Sequence, residues 1–188
     1  MATPATRIAL LRGINVGGHK MVAMAALRGL CEKIGFVNPQ TLLQSGNLVF
    51  QCANLEGEAL EQRLEQEIEK RLKVQCSVIV RTAREWDRLV SRNPFAAEAA
   101  KDPSRLLAYC LKTPAVRGAA DALRAAIAGP ERVEVDGRHA YLWYPIGIGT
   151  SKVTPNLVEK KLGTIATGRN WNTVQKLAAL SKQIAPGV

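Results

Sequence analysis

The spacing of apolar residues predicts alternating strands and helices along the first half of the chain. Residues 8–11 are all apolar, as in a central strand, and residues 41–44, 47–51 and 74–80 predict three more strands. Two helices are predicted from apolar residues that share one face, namely Met24, Leu27, Leu30, Cys31 and Ile34, and then Leu60, Leu64, Ile68 and Leu72. Gly35 is expected to end the first helix and Asn54 to cap the second. This order, β-α-β-β-α-β, is that of a ferredoxin-like fold.

The second half opens with the same pattern. Strands are predicted at 106–111, 132–135 and 139–144, the last two joined by the hairpin dipeptide Asp136-Gly137. Helices are expected to begin after Thr113-Pro114, at Thr154-Pro155 and after Asn170. We therefore predict an α+β protein in three parts. A ferredoxin-like half at 1–81 is followed by a connecting helix and linker at 82–104, which opens with a capping box. A related β-α-β-β-α half with an extra C-terminal helix occupies 105–188.

Composition and charge narrow the choice of partner and compartment. The formal net charge of the 188 residues is +10, which favours an anionic partner, although a basic surface without a specific partner has the same composition. The sequence contains no run of five basic residues, which argues against a nucleic-acid-binding tail. No apolar run is long enough for a membrane span or a secretory signal. The four cysteines are widely spaced, which predicts buried, reduced thiols. We expect a cytoplasmic protein without a membrane partner; the sequence does not predict its oligomeric state.

Two polar, glycine-bearing loops are expected to meet at one edge of the first sheet. The loop after the first strand and the hairpin between the second and third strands lie at the same edge of a ferredoxin-like unit, beside the N-terminus of the first helix. Glycine allows close backbone approach, and a helix N-terminus favours anions. The predicted ligand-binding residues are Arg12, Asn15, Gly17, Gly18, Lys20, Gln44, Ser45, Asn47, Lys152 and Arg169. The alternative is that both loops are merely tight turns.

Several kinds of chemistry are disfavoured. The glycine loop has neither P-loop nor dinucleotide-binding spacing, and an RNA-recognition sheet would need aromatic residues where the central strands offer Phe50 alone. His19 and His139 have no evident Ser or Cys partner, so no catalytic group is assigned, and no spacing indicates a metal or another cofactor.

Two classes of function stay open. The first is a protein, catalytic or not, that binds a small anionic ligand such as a nucleotide or a phosphorylated metabolite. The second is a basic module without catalysis that docks a protein or nucleic acid. Clustering of Arg12, Lys20, Lys152 and Arg169 around one cleft would favour the first class, and a flat basic face would favour the second.

Four short motifs together resemble a bacterial family of unknown function. They are LLRGINVGG followed by Lys20-Met21, QSGNLVF, NPF and RNWNTVQKL, and they occur in this order across nearly the whole chain. The resemblance implies an α+β protein of two ferredoxin-like halves and brings no established activity with it. The residues that match the family's recurrent positions are Arg12, Gly13, Asn15, Gly17, Gly18, Gln44, Ser45, Gly46, Asn47, Asn93, Pro94, Phe95, Lys152, Arg169, Asn170, Trp171 and Thr173.

Overall fold

The computed structural model describes residues 3–184, which divide into two compact units. The first unit contains the described residues up to Arg88 and those from Lys176 onward, and the second is Leu89–Gln175. Each unit holds one four-stranded antiparallel sheet. No helix within residues 3–184 is both long enough and apolar enough to cross a membrane.

The first unit has the predicted ferredoxin-like arrangement. Its elements are β1 (Ala5–Leu11), α1 (Met24–Lys33), β2 (Val37–Leu42), β3 (Asn47–Cys52), α2 (Gly57–Leu72) and β4 (Val78–Thr82), and α3 (Ala83–Ser91) follows. The sheet order is β2-β3-β1-β4, with β1 antiparallel to both β3 and β4. The apolar stripes of α1 and α2 pack with alternate residues of the central strands in one core, so both helices cover the same face of the sheet. The apolar faces predicted for the two helices are therefore confirmed.

The other face of the first sheet is also buried, which explains why its central strand is apolar throughout. Ile8, Leu10 and Val49 are inaccessible to solvent, although they alternate with the residues that face α1 and α2. Gln51 on this face donates a hydrogen bond to the carbonyl of Ile184, which belongs to the same unit.

The ends of the two long helices show how local sequence sets their limits. At the end of α1 the amides of Gly35 and Phe36 donate to the carbonyls of Glu32 and Cys31, and Gly35 has a φ of +87°, so the predicted glycine stop is confirmed. The predicted cap of α2 is wrong. The N-cap is Glu56, not Asn54, because the chain first brings Leu55 against the core, and the helix starts after that contact.

The second unit has the same fold as the first, including a fourth strand that was not predicted. Its elements are α4 (Ala96–Lys101), β5 (Leu106–Leu111), α5 (Ala119–Ala126), β6 (Arg132–Asp136), β7 (His139–Trp143), α6 (Pro155–Leu162) and β8 (Ala166–Asn170), and α7 (Trp171–Gln183) follows. The sheet order β6-β7-β5-β8 matches that of the first unit. The prediction for this half ended at β-α-β-β-α, and the structure adds β8 in antiparallel pairing with β5. It also adds α4 as a second helix in the segment 82–104, which was predicted as one connecting helix and a linker.

Helix starts in the second half were predicted with mixed success. Thr154 caps α6 by accepting from the amide of Leu157 at 3.2 Å, and Asn170 accepts from the amide of Asn172 at 3.1 Å at the start of α7, so both predictions are confirmed. The start predicted at Thr113-Pro114 is wrong. Helix α5 begins only after Gly118, and the Thr113 hydroxyl instead lies 2.8 Å from the hydroxyl of Thr164.

Two further expectations concern a turn and the thiols. The β6–β7 hairpin was predicted correctly, but Asp136 pairs with His139, so the two turn residues are Gly137 and Arg138. All four cysteines are buried and free, as predicted. Burial raises the pKa of Cys31 to about 12, with a smaller contribution from Glu32, so this thiol stays protonated at neutral pH.

Candidate functional site

The loop that leaves β1 is fixed to the sheet on both sides. The amide of Leu11 donates to the carbonyl of Gly46 in the hairpin, and the amide of Arg12 donates to the carbonyl of Ser77, both at 2.8 Å. Residues 12–23 and 43–47 are therefore held at one edge of the first sheet, as predicted from the topology. We call these two segments together the glycine edge.

The side chain of Asn15 joins the two segments of the glycine edge. Its amide nitrogen donates to the carbonyls of Val22 at 3.0 Å and Gln44 at 2.6 Å, and its oxygen accepts from the amide of Val22 at 2.8 Å. The backbone of Asn15 adds a 3.2 Å hydrogen bond to the carbonyl of Lys20. Asn15 therefore closes the loop on itself and fastens it to the hairpin, which makes it a positioning residue.

Gly17 and Gly18 form a tight turn at the tip of the loop. Val16 and His19 make an antiparallel bridge, closed by a 3.0 Å hydrogen bond from the His19 amide to the Val16 carbonyl. The glycines have φ values of +58° and +78°, as a primed two-residue hairpin turn requires. Neither of their amides donates a hydrogen bond within residues 3–184. Residues 19–23 separate this turn from α1, which begins at Met24.

The hairpin side of the glycine edge is held by a buried asparagine. Asn47 is inaccessible to solvent, and its amide donates to the carbonyl of Leu42 at 2.8 Å and to the hydroxyl of Ser45 at 3.0 Å. Gly46 lies so close to the loop that a Cβ atom there would be 2.8 Å from Cδ1 of Ile14. Gln44 and Ser45 remain exposed.

The electrostatic environment of the glycine edge favours negative charge. The N-cap of α1 is Ala23, which provides no side-chain hydrogen bond, and the first turn of this helix contains no acidic residue. Its N-terminal amides therefore carry their partial positive charge without a counter-charge from the cap or the first turn. Lys20 is exposed beside this terminus, and Glu32 is the one acidic residue in the sequence from position 3 to 55.

The structure places the ten predicted site residues in two different units. Eight belong to the glycine edge, which are Arg12, Asn15, Gly17, Gly18, Lys20, Gln44, Ser45 and Asn47. The second unit contains Lys152, which is exposed, and Arg169, which is 8% exposed. Arg169 donates to the hydroxyl of Thr167 at 2.7 Å and to the carbonyl of Gly168 at 2.9 Å, and burial lowers its pKa to about 10. Within its own unit, Arg169 is a buried residue of β8.

Sequence reasoning missed three apolar residues of the glycine edge. Val16, Met21 and Leu43 are 66%, 66% and 53% exposed, although each is a large hydrophobic residue. Their signal in the sequence was weak, because apolar residues in a short loop are usually assigned to the core. A contiguous exposed apolar patch with a polar rim marks a binding surface, whereas single exposed apolar residues are common.

Two cavities lie away from the glycine edge. One in the first unit, of about 450 Å³, is lined by residues from the start of β1, the end of β3 and the segment after α1, and so lies at the opposite edge of the sheet. Another of about 290 Å³ lies in the second unit around Phe95, whose ring is 5.0 Å from the guanidinium of Arg132. Residues 3–184 contain no group of three or more His, Cys, Asp or Glu side chains arranged to hold a metal ion.

Comparison with known proteins identifies the family and the fold. The family DUF1697, described as a protein of unknown function, matches residues 5–141. The chain belongs to this family. The family match includes the glycine edge and the Asn93-Pro94-Phe95 motif. No curated protein matches the chain.

One similar solved structure is described as a conserved bacterial protein, SP0830, from Streptococcus pneumoniae. It is 17% identical, with a TM-score of 0.71, and the alignment covers 95% of this chain and 99% of that one. At this identity the likeness shows the fold alone. It agrees with an α+β protein of two similar halves and leaves the activity of the family unassigned.

Proposed function

We propose that the glycine edge binds a small anionic ligand, such as a nucleotide or a phosphorylated metabolite. The observation that carries this proposal is the Gly17–Gly18 turn. Its two consecutive amides have no hydrogen-bond acceptor within residues 3–184, and they stand on a loop that Asn15 holds in place. Backbone amides held in advance of binding are suited to phosphate or carboxylate oxygens, since no ordering is needed when the ligand arrives.

The charge around the turn supports an anion. Lys20 supplies a mobile ammonium group, and the uncapped N-terminus of α1 adds partial positive charge. Lys20 also has a φ of +50°, a conformation that is unfavourable for a lysine. A bound anion would neutralise the positive charge, and the strained backbone of Lys20 would hold its side chain beside the ligand.

The predicted residues then divide into two roles. Gly17, Gly18 and Lys20 would contact the ligand, and Arg12 and Ser45 would border it from the loop and the hairpin. Asn15, Asn47 and Gln44 would hold the ligand-binding groups in position. The side chains of Asn15 and Asn47 and the carbonyl of Gln44 already take part in the internal hydrogen bonds of the edge. Lys152 and Arg169 belong to the second unit and are not part of this proposal.

A thermal-shift screen followed by titration calorimetry tests the proposal. The screen uses pyrophosphate, sugar phosphates and nucleotides, and a ligand at one hundred times its dissociation constant should add about 2.7 kcal/mol of stability. For any compound that raises the melting temperature, Lys20→Asn should weaken binding roughly tenfold, because one charge-assisted hydrogen bond is lost. Asparagine is chosen since it tolerates a positive φ.

The matched control is Lys152→Asn. Lys152 is an exposed lysine that precedes a helix in the second unit, so its substitution makes the same change in net charge. If both variants lose the same affinity, binding follows overall charge and the site is rejected. Failure of every small anion, with tight binding of a nucleic acid or an acidic protein, would instead favour the docking module.

A further inference from the structure

Three exposed apolar side chains stand at the same place as the proposed anion site. Val16, Met21 and Leu43 are each more than half exposed. The side-chain amide of Asn15 contacts the backbone of Val22 and of Gln44. Val16 follows Asn15 in sequence, Met21 precedes Val22, and Leu43 precedes Gln44. Because adjacent Cα atoms are about 3.8 Å apart, all three apolar residues lie around one hydrogen-bonded centre.

Leu43 is unfavourable for folding in two respects. It has a φ of +58°, and the left-handed region costs a non-glycine residue about 1–2 kcal/mol. It also exposes an apolar side chain that glycine or asparagine, the residues suited to this conformation, would not expose. A residue that stabilises neither the turn nor the core is best explained by a contact outside the folded chain.

The shape of this apolar surface limits what it can contact. The three side chains belong to two loops and are exposed to solvent, and the 450 Å³ cavity of the first unit lies at the opposite sheet edge. A flat ring needs one apolar surface against one of its faces. A purine or pyrimidine base offers such a face, and its phosphate is the anion that the Gly17–Gly18 turn would take.

We propose, on the basis of the anion site proposed above, that the ligand of the glycine edge is a mononucleotide. Its phosphate lies against the amides of Gly17 and Gly18 and the ammonium of Lys20, and its base packs on Val16, Met21 and Leu43. This assigns the exposed apolar residues to recognition of the base, and it separates nucleotides from sugar phosphates, which have no apolar ring.

Titration calorimetry with AMP and ribose 5-phosphate tests this inference on the full chain. AMP should bind about tenfold tighter, which is the effect of burying roughly 60 Å² of additional apolar surface. Leu43→Asn should remove most of that advantage, leave the affinity for ribose 5-phosphate unchanged and raise the melting temperature, because the strained leucine is relieved. Met21→Ser should weaken AMP binding in the same selective way, without dependence on backbone strain.

Lys73→Asn is the matched control for strain. Lys73 has a φ of +59° at the end of α2 and lies outside residues 12–23 and 43–47, so this variant should raise the melting temperature and leave both affinities unchanged. Equal binding of AMP and ribose 5-phosphate would overturn the mononucleotide and leave the anion site standing. Binding of neither would overturn both proposals. A single-stranded oligonucleotide that binds where AMP does not would overturn the mononucleotide, as would a melting temperature lowered by Leu43→Asn.

Discussion

The two units have the same hydrogen bond at the end of their first strands but differ in the length of the loops that follow. Directly after the first strand of each unit, the next amide makes the same hydrogen bond: Arg12 donates to the carbonyl of Ser77, and Lys112 donates to the carbonyl of Ile165, both at 2.8 Å. The sheets also share one strand order. The frame at this edge is thus repeated almost bond for bond.

The connections built on that frame are unequal. The first unit uses residues 12–23 to reach its helix, whereas the second uses residues 112–118, and the hairpin loops are residues 43–46 and 137–138. Because the shorter connections close the same sheet, the fold does not require the longer ones. Long loops that a fold does not need are typical places for binding, which is why the glycine edge is the stronger candidate.

The largest expected difference between the two edges is steric. A Cβ atom at Gly46 would lie 2.8 Å from both Leu11 and Ile14, and the φ of this glycine is +75°. We expect Gly46→Ala to lower the free energy of unfolding by about 2–5 kcal/mol, from overpacking and strain together. Urea denaturation of the purified variant measures it.

Gly137→Ala is the corresponding change in the shorter hairpin. Gly137 has a φ of +58°, but no atom lies within 4 Å of the position that a Cβ would take there, so strain alone should remove about 1–2 kcal/mol. Equal losses in the two variants would show that the loop and hairpin of the first unit are not packed tightly against each other.

The next difference is in hydrogen bonding. Asn15→Gly keeps a residue suited to the φ of +54° and removes three side-chain hydrogen bonds, which should lower the free energy of unfolding by about 2–4 kcal/mol. In the second unit, Thr113→Ala removes the contact between the hydroxyls of Thr113 and Thr164 and should lower it by about 0.5–1.5 kcal/mol. If Asn15→Gly had the smaller effect, the glycine edge would not be held in advance of binding, and the proposed function would lose its main support.

How far the fold could be predicted depended on how polar each element is. The strand 106–111 was predicted with the bounds that the structure has, because an apolar run lies between Arg105 and Lys112. Strand β8 was missed because it contains Gly168 and Asn170, which are depleted in strands, and because it has no run of large apolar residues. Its glycine is needed for packing, since a Cβ atom there would be 2.9 Å from the ring of Tyr109, a contact that only the folded sheet creates.

The candidate site was predicted to a similar extent. Topology was enough to place the glycine loop beside the hairpin. It could not show that Asn15 and Asn47 would be engaged in internal hydrogen bonds, because the partner of Asn15 in the hairpin is 29 residues away in sequence. It also could not show that Leu43 would be exposed with a positive φ, since both properties depend on the finished turn.

A smaller effect is expected from a feature that the two units share. Each unit holds a glutamate whose pKa is lowered, first of all by a hydrogen bond from an arginine: Arg71 to Glu67 in the first unit, and Arg132 to Glu98 in the second. A carboxyl group whose pKa is lower in the folded state stabilises the protein above its unfolded pKa, and this stabilisation is lost as the pH falls through the folded value.

Glu67→Gln and Glu98→Gln should therefore each be less stable than the unchanged protein at pH 7, and both differences should shrink as the pH is lowered through the acidic range. Urea denaturation at a series of pH values measures the differences. Because neither glutamate belongs to residues 12–23 or 43–47, neither substitution should alter ligand affinity at pH 7. A difference that persists unchanged at low pH would mean that packing, and not the ionised carboxylate, is what the substitution removes. A change in affinity would mean that the edge depends on more of its unit than the loop and the hairpin.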